Sequence, residues 1–144
     1  MSRKQNLLLH EDRVRFILAG MAFFSMLSLK TNTVVQYYVR KSKKKPDAPV
    51  RYVYTRTGDV MTFIGTIFIS KSCKPFYWNS KHSGLAKGNL KVKAFEWIWY
   101  KLVRNENYKN VEILHEGRCG RCGRKLTDPV SIETGLGPHC RKLL

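Results

Sequence analysis

The segment VVQYYVR, residues 34–40, decides the fold class because its side chains alternate between two sets. One set is apolar or aromatic and the other is mixed: Val35, Tyr37 and Val39 against Val34, Gln36, Tyr38 and Arg40. A period of two residues is typical of a β-strand. Residues 21–29 precede this strand across a turn at residues 30–33, so the two segments together predict a β-hairpin.

A second hairpin is predicted farther along the chain. Residues 51–56 alternate again, residues 57–59 favour a turn, and residues 60–69 are rich in β-branched side chains. The segment between the hairpins, KSKKKPDAP at residues 41–49, has the charges and prolines of an exposed loop. Residues 70–89 contain glycine, proline, serine and lysine, which together predict a long connection.

Helical segments flank the predicted hairpins. Residues 91–105 change to the period of an α-helix with one apolar stripe. That stripe consists of Phe95, Ile98 or Trp99, and Leu102. Residues 11–19 predict a short helix that ends at Gly20, and residues 111–114 predict a short last strand.

Composition and charge limit the classes of function. The 144 residues are 43% hydrophobic, which is enough to fill one core and excludes a wholly disordered chain. Lysine and arginine number 27 against 10 acidic residues, and the resulting net charge of +17 attracts polyanions. The longest apolar stretch, residues 16–29, is shorter than the roughly 20 residues of a membrane span. We therefore expect a cytoplasmic protein without a membrane segment.

Three of the four cysteines lie in the segment HEGRCGRCGRKLTDPVSIETGLGPHC, residues 115–140. Cys119 and Cys122 have the C-x2-C spacing of a zinc knuckle, and Cys140 supplies a third thiolate. Crowding of this kind is typical of metal binding in a reducing compartment rather than of disulfide pairing. The segment therefore predicts a zinc site.

The fourth zinc ligand has three candidates. His115 is favoured because it lies at the end of the predicted strand that leads into the knuckle. His139 is adjacent to Cys140, and the side chains of neighbouring residues rarely both reach one small tetrahedron. Cys73 is the third candidate and would have to cross over from the long connection. A site with four protein ligands is closed, so we predict one structural Zn²⁺.

A short helix is predicted between the knuckle and the third cysteine. Asp128 has the position of an N-cap, Pro129 that of the first helical turn, and Gly135 that of the helix end. Gly137 and Pro138 predict the turn that delivers Cys140 to the metal.

These elements together predict an α+β fold. We expect a small antiparallel sheet of about four to five strands in two hairpins, packed against one main helix, with a C-terminal zinc-knuckle or treble-clef-like module. The expected organisation is a basic α+β domain at residues 1–110 and a zinc-binding module at residues 111–144 packed on it.

The C-terminal segment resembles a family of small, functionally uncharacterised proteins common in bacteriophages and bacterial mobile elements. The shared pattern is H-x3-C-x2-C-G-R-x-L-T-x-P-x-S-I-x-x-G-x-G-P-x-C, and the resemblance covers residues 115–144 closely. It extends weakly upstream through FILAG at residues 16–20 and KAFEWIWYKL at residues 93–102. The recurrent positions of the family pattern fall on His115, Cys119, Cys122 and Cys140, whereas His139 stands at a variable position.

The resemblance implies a zinc-binding domain and a mobile-element or defence-related setting, but no activity. The middle loops of this chain contain more lysine than the family pattern, so a shared partner does not follow from the resemblance.

Basic clusters are the candidate nucleic-acid contacts, because cations spaced along one face bind phosphates. They are Lys41, Lys43, Lys44 and Lys45 in the loop between the hairpins, and Arg118, Arg121, Arg124, Lys125, Arg141 and Lys142 in the zinc module. Two groups of aromatic residues have two interpretations each, core packing or stacking on bases. These groups are Phe76, Tyr77 and Trp78 in the long connection, and Tyr37, Tyr52 and Tyr54 in the predicted strands.

The function expected from these features is that of a non-enzymatic, strongly basic zinc-binding accessory protein. It would act on a nucleic acid or a nucleoprotein machine in a phage, mobile-element or CRISPR-type defence setting. The alternative is a protein-interaction factor that binds the acidic surface of an RNA-guided effector or another nucleic-acid enzyme and enhances or inhibits it. Such a factor could be a homodimer formed through an edge strand or through the helix of Trp97, Trp99 and Tyr100.

A metal-dependent nuclease is the third class of function. The ten acidic residues are scattered and show no D-x-D or H-x-x-E-H arrangement, and the chain has no Walker loop and no recognisable nucleophile motif. We therefore expect no enzymatic activity.

Overall fold

The structure is a computed structural model that describes residues 6–72 and 74–144. Its elements in chain order are α1 (His10–Ile17), β1 (Met21–Ser28), β2 (Thr33–Lys41), β3 (Val50–Thr57), β4 (Val60–Phe68), β5 (Phe76–Asn79), α2 (Leu90–Val103), β6 (Val111–His115), α3 (Pro129–Thr134) and α4 (Pro138–Leu143). The strands form one six-stranded sheet in the order β5-β4-β3-β2-β1-β6, and every pair is antiparallel. The α+β class with an antiparallel sheet is therefore confirmed.

Both predicted hairpins are present, β1 with β2 and β3 with β4. The expectation of four to five strands is wrong, because β5 forms inside the segment that was predicted to be a connection. Its four residues pair with the outer edge of β4, where Trp78 lies opposite Thr66. The single main helix is also an incomplete description, since α1 contributes the buried residues Phe16 and Ile17 to the same core as α2.

The main core lies between one face of the sheet and the helices α1 and α2. The apolar stripe of α2 is buried there: Val92, Phe95, Ile98, Trp99 and Leu102. The Phe95 ring packs against Tyr37 and Tyr77, with ring centroids 5.3 and 5.0 Å away. The Tyr37 hydroxyl donates a hydrogen bond of 2.6 Å to the carbonyl of Lys91 in α2. This face of the sheet is therefore filled by helix side chains.

Several aromatic side chains differ in placement from the sequence expectation. Tyr37 is only 1% exposed and belongs to the core, so it cannot form a surface platform with Tyr52 and Tyr54. The reason is strand alternation, which places Tyr37 on the helix-covered face and Tyr52 and Tyr54 on the other. Trp99 is likewise buried, and the α2 aromatic side chains exposed to solvent are Trp97 and Tyr100.

A second, smaller core lies under the C-terminal segment. It consists of Ala19, Cys119, Leu126, Leu136 and Cys140, with Ile132 packed against it. A backbone hydrogen bond joins this segment to the start of β1, from Met21 N–H to the carbonyl of Gly120 at 2.7 Å. Within the segment, Gly120 N–H donates to the carbonyl of Gly135 at 2.8 Å.

No helix in the described part of the chain combines the length and the apolar character needed to span a membrane.

Candidate metal centre

A tight backbone hairpin presents the first two cysteines. Residues Arg118 and Lys125 form an antiparallel bridge, and Leu126 N–H donates to the carbonyl of Gly117 at 2.9 Å. At the tip, Cys119 N–H donates to the carbonyl of Arg124 at 2.8 Å, and Gly123 N–H donates to the carbonyl of Cys119 at 2.9 Å. Gly123 has a φ of 78°, a left-handed conformation that costs glycine little. The predicted knuckle geometry is therefore formed by local backbone hydrogen bonds.

Two short helices carry the chain from the knuckle to the third cysteine. The Asp128 carboxylate accepts hydrogen bonds from the Ser131 N–H at 3.1 Å and the Ser131 hydroxyl at 2.6 Å, which begins α3. The helix ends at Gly135, whose φ is 76°, as the cap pattern predicts. Pro138 then begins a helix, α4, where the sequence predicted only a turn, and Cys140 lies in its first turn.

The sulfur atoms of the three cysteines form a close cluster. The Sγ atoms of Cys119, Cys122 and Cys140 all lie within 4.8 Å of one another. A tetrahedral zinc with bonds of about 2.3 Å requires sulfur atoms about 3.8 Å apart, so a small closure would bring all three into range. Cys119 and Cys140 are buried, and Cys122 is exposed. The donor set therefore fits a thiolate-preferring metal ion.

The surroundings of Cys119 favour a thiolate. Its Sγ atom accepts hydrogen bonds from the backbone N–H groups of Arg121 and Gly137, both at 3.4 Å. Burial raises the pKa of the Cys119 thiol, but amide hydrogen bonds outweigh burial and lower the pKa to about 7. Because the thiolate is the form that binds metal ions, these amide hydrogen bonds favour metal binding by Cys119 at neutral pH.

Arg121 provides a cation at the same site. Its guanidinium group lies 3.6 Å from the Sγ atom of Cys140 and donates to it. Burial and the neighbouring cysteines raise the pKa of Cys140, and the Arg121 guanidinium acts against that increase. Three thiolates around a divalent ion leave a net charge of −1, which Arg121 would balance. Arg121 is thus part of the cysteine site rather than a free surface cation.

The structure does not place His115 among the clustered sulfur atoms. Its Nδ1 atom accepts a hydrogen bond of 2.9 Å from the Gly117 N–H, so Nε2 carries the proton and donates to the Ile132 carbonyl at 2.5 Å. Burial lowers the pKa of His115, and the hydrogen bond to Ile132 partly opposes this effect. The neutral ring therefore bridges the knuckle and α3 with both nitrogen atoms. The sequence indicated that His115 lies near the site, but it did not indicate the direction of its side chain.

His139, another candidate for the fourth ligand, is also not among the three clustered sulfur ligands. His139 is exposed on α4, next to Cys140. Cys73 lies outside the described residues. Within residues 6–72 and 74–144, the side chains that could jointly hold a metal ion are the three cysteines.

The predicted nucleic-acid contacts fall into two groups. Arg121 and Arg141 are engaged inside the module, the latter donating to the Ser131 hydroxyl at 2.9 Å and the Leu136 carbonyl at 2.7 Å. The remaining ones are exposed: Lys41, Lys43, Lys44, Lys45, Arg118, Arg124, Lys125 and Lys142. None of these eight belongs to an ion pair formed among the described residues.

Comparisons with known proteins address only the end of the chain. The profile of a family of unknown function (DUF6011) matches residues 111–144, which include all three clustered cysteines. Neither the curated proteins nor the solved structures contain a match to the chain.

Proposed function

We propose that this chain is a non-enzymatic, zinc-binding basic protein that acts on nucleic acid or on a nucleoprotein machine. The metal would be one structural Zn²⁺ held by Cys119, Cys122 and Cys140. Thiolate donors and the amide hydrogen bonds at Cys119 support zinc over the oxygen-seeking ions. When bound, zinc would join the knuckle to α4 and add no chemistry of its own.

The observation that carries the nucleic-acid role is the free positive charge on the exposed loops. Lys43, Lys44 and Lys45 lie exposed in the β2–β3 loop of a chain with a net charge of +17. The knuckle presents a second exposed group, Arg118, Arg124 and Lys125. Cations without acidic partners are available to displace the counterions of a phosphate backbone. The mobile-element or defence setting is part of this proposal and rests on the C-terminal resemblance.

The test is fluorescence anisotropy with labelled DNA and RNA over a series of salt concentrations. For the wild type, the logarithm of the association constant should fall linearly with the logarithm of the salt concentration. A triple Lys→Glu variant at positions 43, 44 and 45 should make this slope shallower by about 2 to 3. The matched control is the triple Lys→Glu variant at positions 30, 93 and 109, which are exposed elsewhere and give the same change in net charge. Equal slopes for the two triple variants would contradict a role for the β2–β3 loop.

A pull-down from host lysate, with and without nuclease, tests the alternative of a protein-interaction factor. A partner protein that survives both nuclease and about 0.5 M salt would replace the nucleic-acid role, since a packed protein interface resists salt. Loss of all partners on nuclease treatment would support direct nucleic-acid binding.

A further inference from the structure

The face of the sheet opposite the helices carries eight aromatic side chains. We call this group the aromatic face; it consists of Phe23, Tyr38, Tyr52, Tyr54, Phe63, Phe68, Phe76 and Trp78. Strand alternation and register put all of them on the same side, away from Tyr37 and Phe95. Such a large patch on an otherwise basic protein is a candidate binding surface.

Four of these rings form a ladder across β1 to β4. The register aligns Phe23 with Tyr38, Tyr38 with Tyr54, and Tyr54 with Phe63. Phe23 and Tyr38 stack with their planes 6° apart and centroids separated by 4.1 Å. The next two centroid separations are 6.0 and 5.6 Å. With strands about 4.8 Å apart, the ladder spans about 14 Å.

The aromatic face is not part of either core. Its ring contacts within the described residues are among its own members, and the buried side chains of α1 and α2 belong to the core on the opposite face. Exposure increases toward β5, from the half-buried Tyr38 and Tyr54 to Phe76 at 45% and Trp78 at 65%. The most accessible rings of the row are thus those of Phe76 and Trp78, at its β5 end.

The charge around the aromatic face is positive. Strands β1 to β5 contain no aspartate or glutamate, and the edge strand β6 contains one acidic residue, Glu112. Arg40 lies within the row, with its guanidinium carbon 5.2 and 5.3 Å from the ring centroids of Tyr52 and Tyr54 and an N–H donated to the Tyr54 hydroxyl at 2.8 Å. Arg56, by contrast, is paired with Glu116 at 2.6 Å.

Both ends of the row lead to further cations. At the β5 end, Phe68 and Trp78 line a cleft of about 930 Å³ together with Lys81 and Lys87. Its lining contains one acidic residue, Glu96, which accepts a hydrogen bond of 2.8 Å from Asn79. At the β1 end, the knuckle reaches the sheet, since a Cβ atom at Gly123 would lie 2.5 Å from the Met21 Sδ atom. Cations therefore lie at the β5 end of the row and on the knuckle that contacts β1 at the other end.

We propose that the aromatic face binds single-stranded nucleic acid, with unpaired bases stacked on its rings and phosphates held by Arg40 and the bordering lysines. This inference rests on the proposed function and specifies the class of nucleic acid and the surface that takes it. Stacking requires the flat faces of bases, which a duplex conceals inside its helix and a single strand exposes. Charge complementarity favours a polyanion over a second copy of this chain, because two copies that each carry a net charge of +17 repel each other.

The test compares two double variants that remove the same residue types from different surfaces. Tyr54→Leu with Trp78→Leu removes two rings from the aromatic face, and Trp97→Leu with Tyr100→Leu removes two exposed rings from α2. The probes are oligothymidylate, oligouridylate and a blunt duplex, each of about 15 nucleotides. Wild type should bind the single strands more tightly than the duplex. The aromatic-face variant should lose about 10- to 100-fold in single-strand affinity with an unchanged salt slope.

A second measurement protects the test from misfolding of the double variant. Trp78→Leu alone alters a side chain that is 65% exposed, so it should keep the wild-type unfolding midpoint while weakening single-strand binding about tenfold. In the Trp97→Leu protein, Trp78 is the exposed tryptophan of the described residues, and bound oligonucleotide should quench its emission.

The outcomes separate this inference from the proposed function. If the lysine variant at positions 43–45 weakens binding but the aromatic variants match wild type, nucleic-acid binding stands and the aromatic face has no part in it. If wild type binds neither single strands nor duplex, both proposals fail. A wild-type dimer that Trp78→Leu dissociates would assign the face to a second copy and overturn the inference.

Discussion

The core beneath the sheet contains large, fully buried rings, among them Tyr37, Phe95 and Trp99, whereas the small core of the C-terminal module contains one alanine, two leucines and two cysteines. The first buries many large apolar side chains, and burial of apolar surface stabilises a fold by roughly 25 cal/mol per Å². The second lies in a segment of short helices and a knuckle with little apolar area. Small units of this kind usually need a metal ion or a disulfide to stay folded.

The comparison indicates how stability is divided in the molecule. The sheet packs one face against α2, whereas the module brings together three sulfur atoms that a metal ion could join. The two regions are in contact, because Met21 N–H donates to the carbonyl of Gly120 and both Gly120 and Gly135 lie against the Phe16 ring. Each of the following substitutions tests one side of this division.

The largest effect is expected from Cys122→Ser. Cys122 is exposed, so the substitution leaves no cavity and its effect reports on the metal alone. Binding of structural zinc contributes folding free energy on the order of 10 kcal/mol, and most of it should be lost. We expect loss of bound zinc by mass spectrometry and rapid amide exchange across residues 117–144, with the sheet still protected. Full zinc content in this variant would contradict the three-sulfur site; Arg124→Ala, an exposed change in the same knuckle, is the control.

Phe95→Ala should act on the other region. The ring is fully buried between Tyr37, Tyr77 and Trp99, and its loss should destabilise the protein by about 3–5 kcal/mol. Chemical denaturation measures this change, and zinc content should match wild type under native conditions. Joint loss of zinc would show that the two regions fold as one unit.

The elements that sequence reasoning found are those with a local cause. The hairpins follow from alternation and turn residues, and α3 follows from Asp128, Pro129 and Gly135. The strand β5 was missed because four residues after Pro75 carry too little pattern, and its pairing with β4 is a long-range contact. The helix α4 was missed because Pro138 favours a turn and a first helical turn equally.

The site divides in the same way. The knuckle cysteines are close in sequence, so their spacing was sufficient to bring them together. The direction of His115 depends on a register in which it lies opposite Phe24, whose side chain faces the core, and register is not local. The aromatic face has the same origin: alternation separates Tyr37 from Tyr38, but only the helix positions determine which of the two faces is covered.

The smallest effect, and the sharpest test of the module, is expected from His115→Gln. A glutamine can reproduce the bridge by donating to the Ile132 carbonyl and accepting from the Gly117 N–H, so zinc content should remain at the wild-type level. Stoichiometric loss of zinc would instead make His115 a ligand and contradict the geometry. His139→Gln, an exposed change beside Cys140, is the matched control and also tests the second candidate for the fourth ligand.

The same variant carries a pH signature with a defined sign. Burial lowers the pKa of His115 below its ordinary value of 6.5. Between the folded and the unfolded pKa, the ring is therefore protonated in the unfolded chain and neutral in the folded protein. Wild type should therefore lose stability as the pH falls below about 6.5, down to the folded pKa of the ring. The glutamine variant lacks this titration, so its unfolding free energy relative to wild type should increase as the pH falls through that window. An unchanged difference between pH 7 and pH 5 would mean that the ring of His115 is not buried as a neutral bridge.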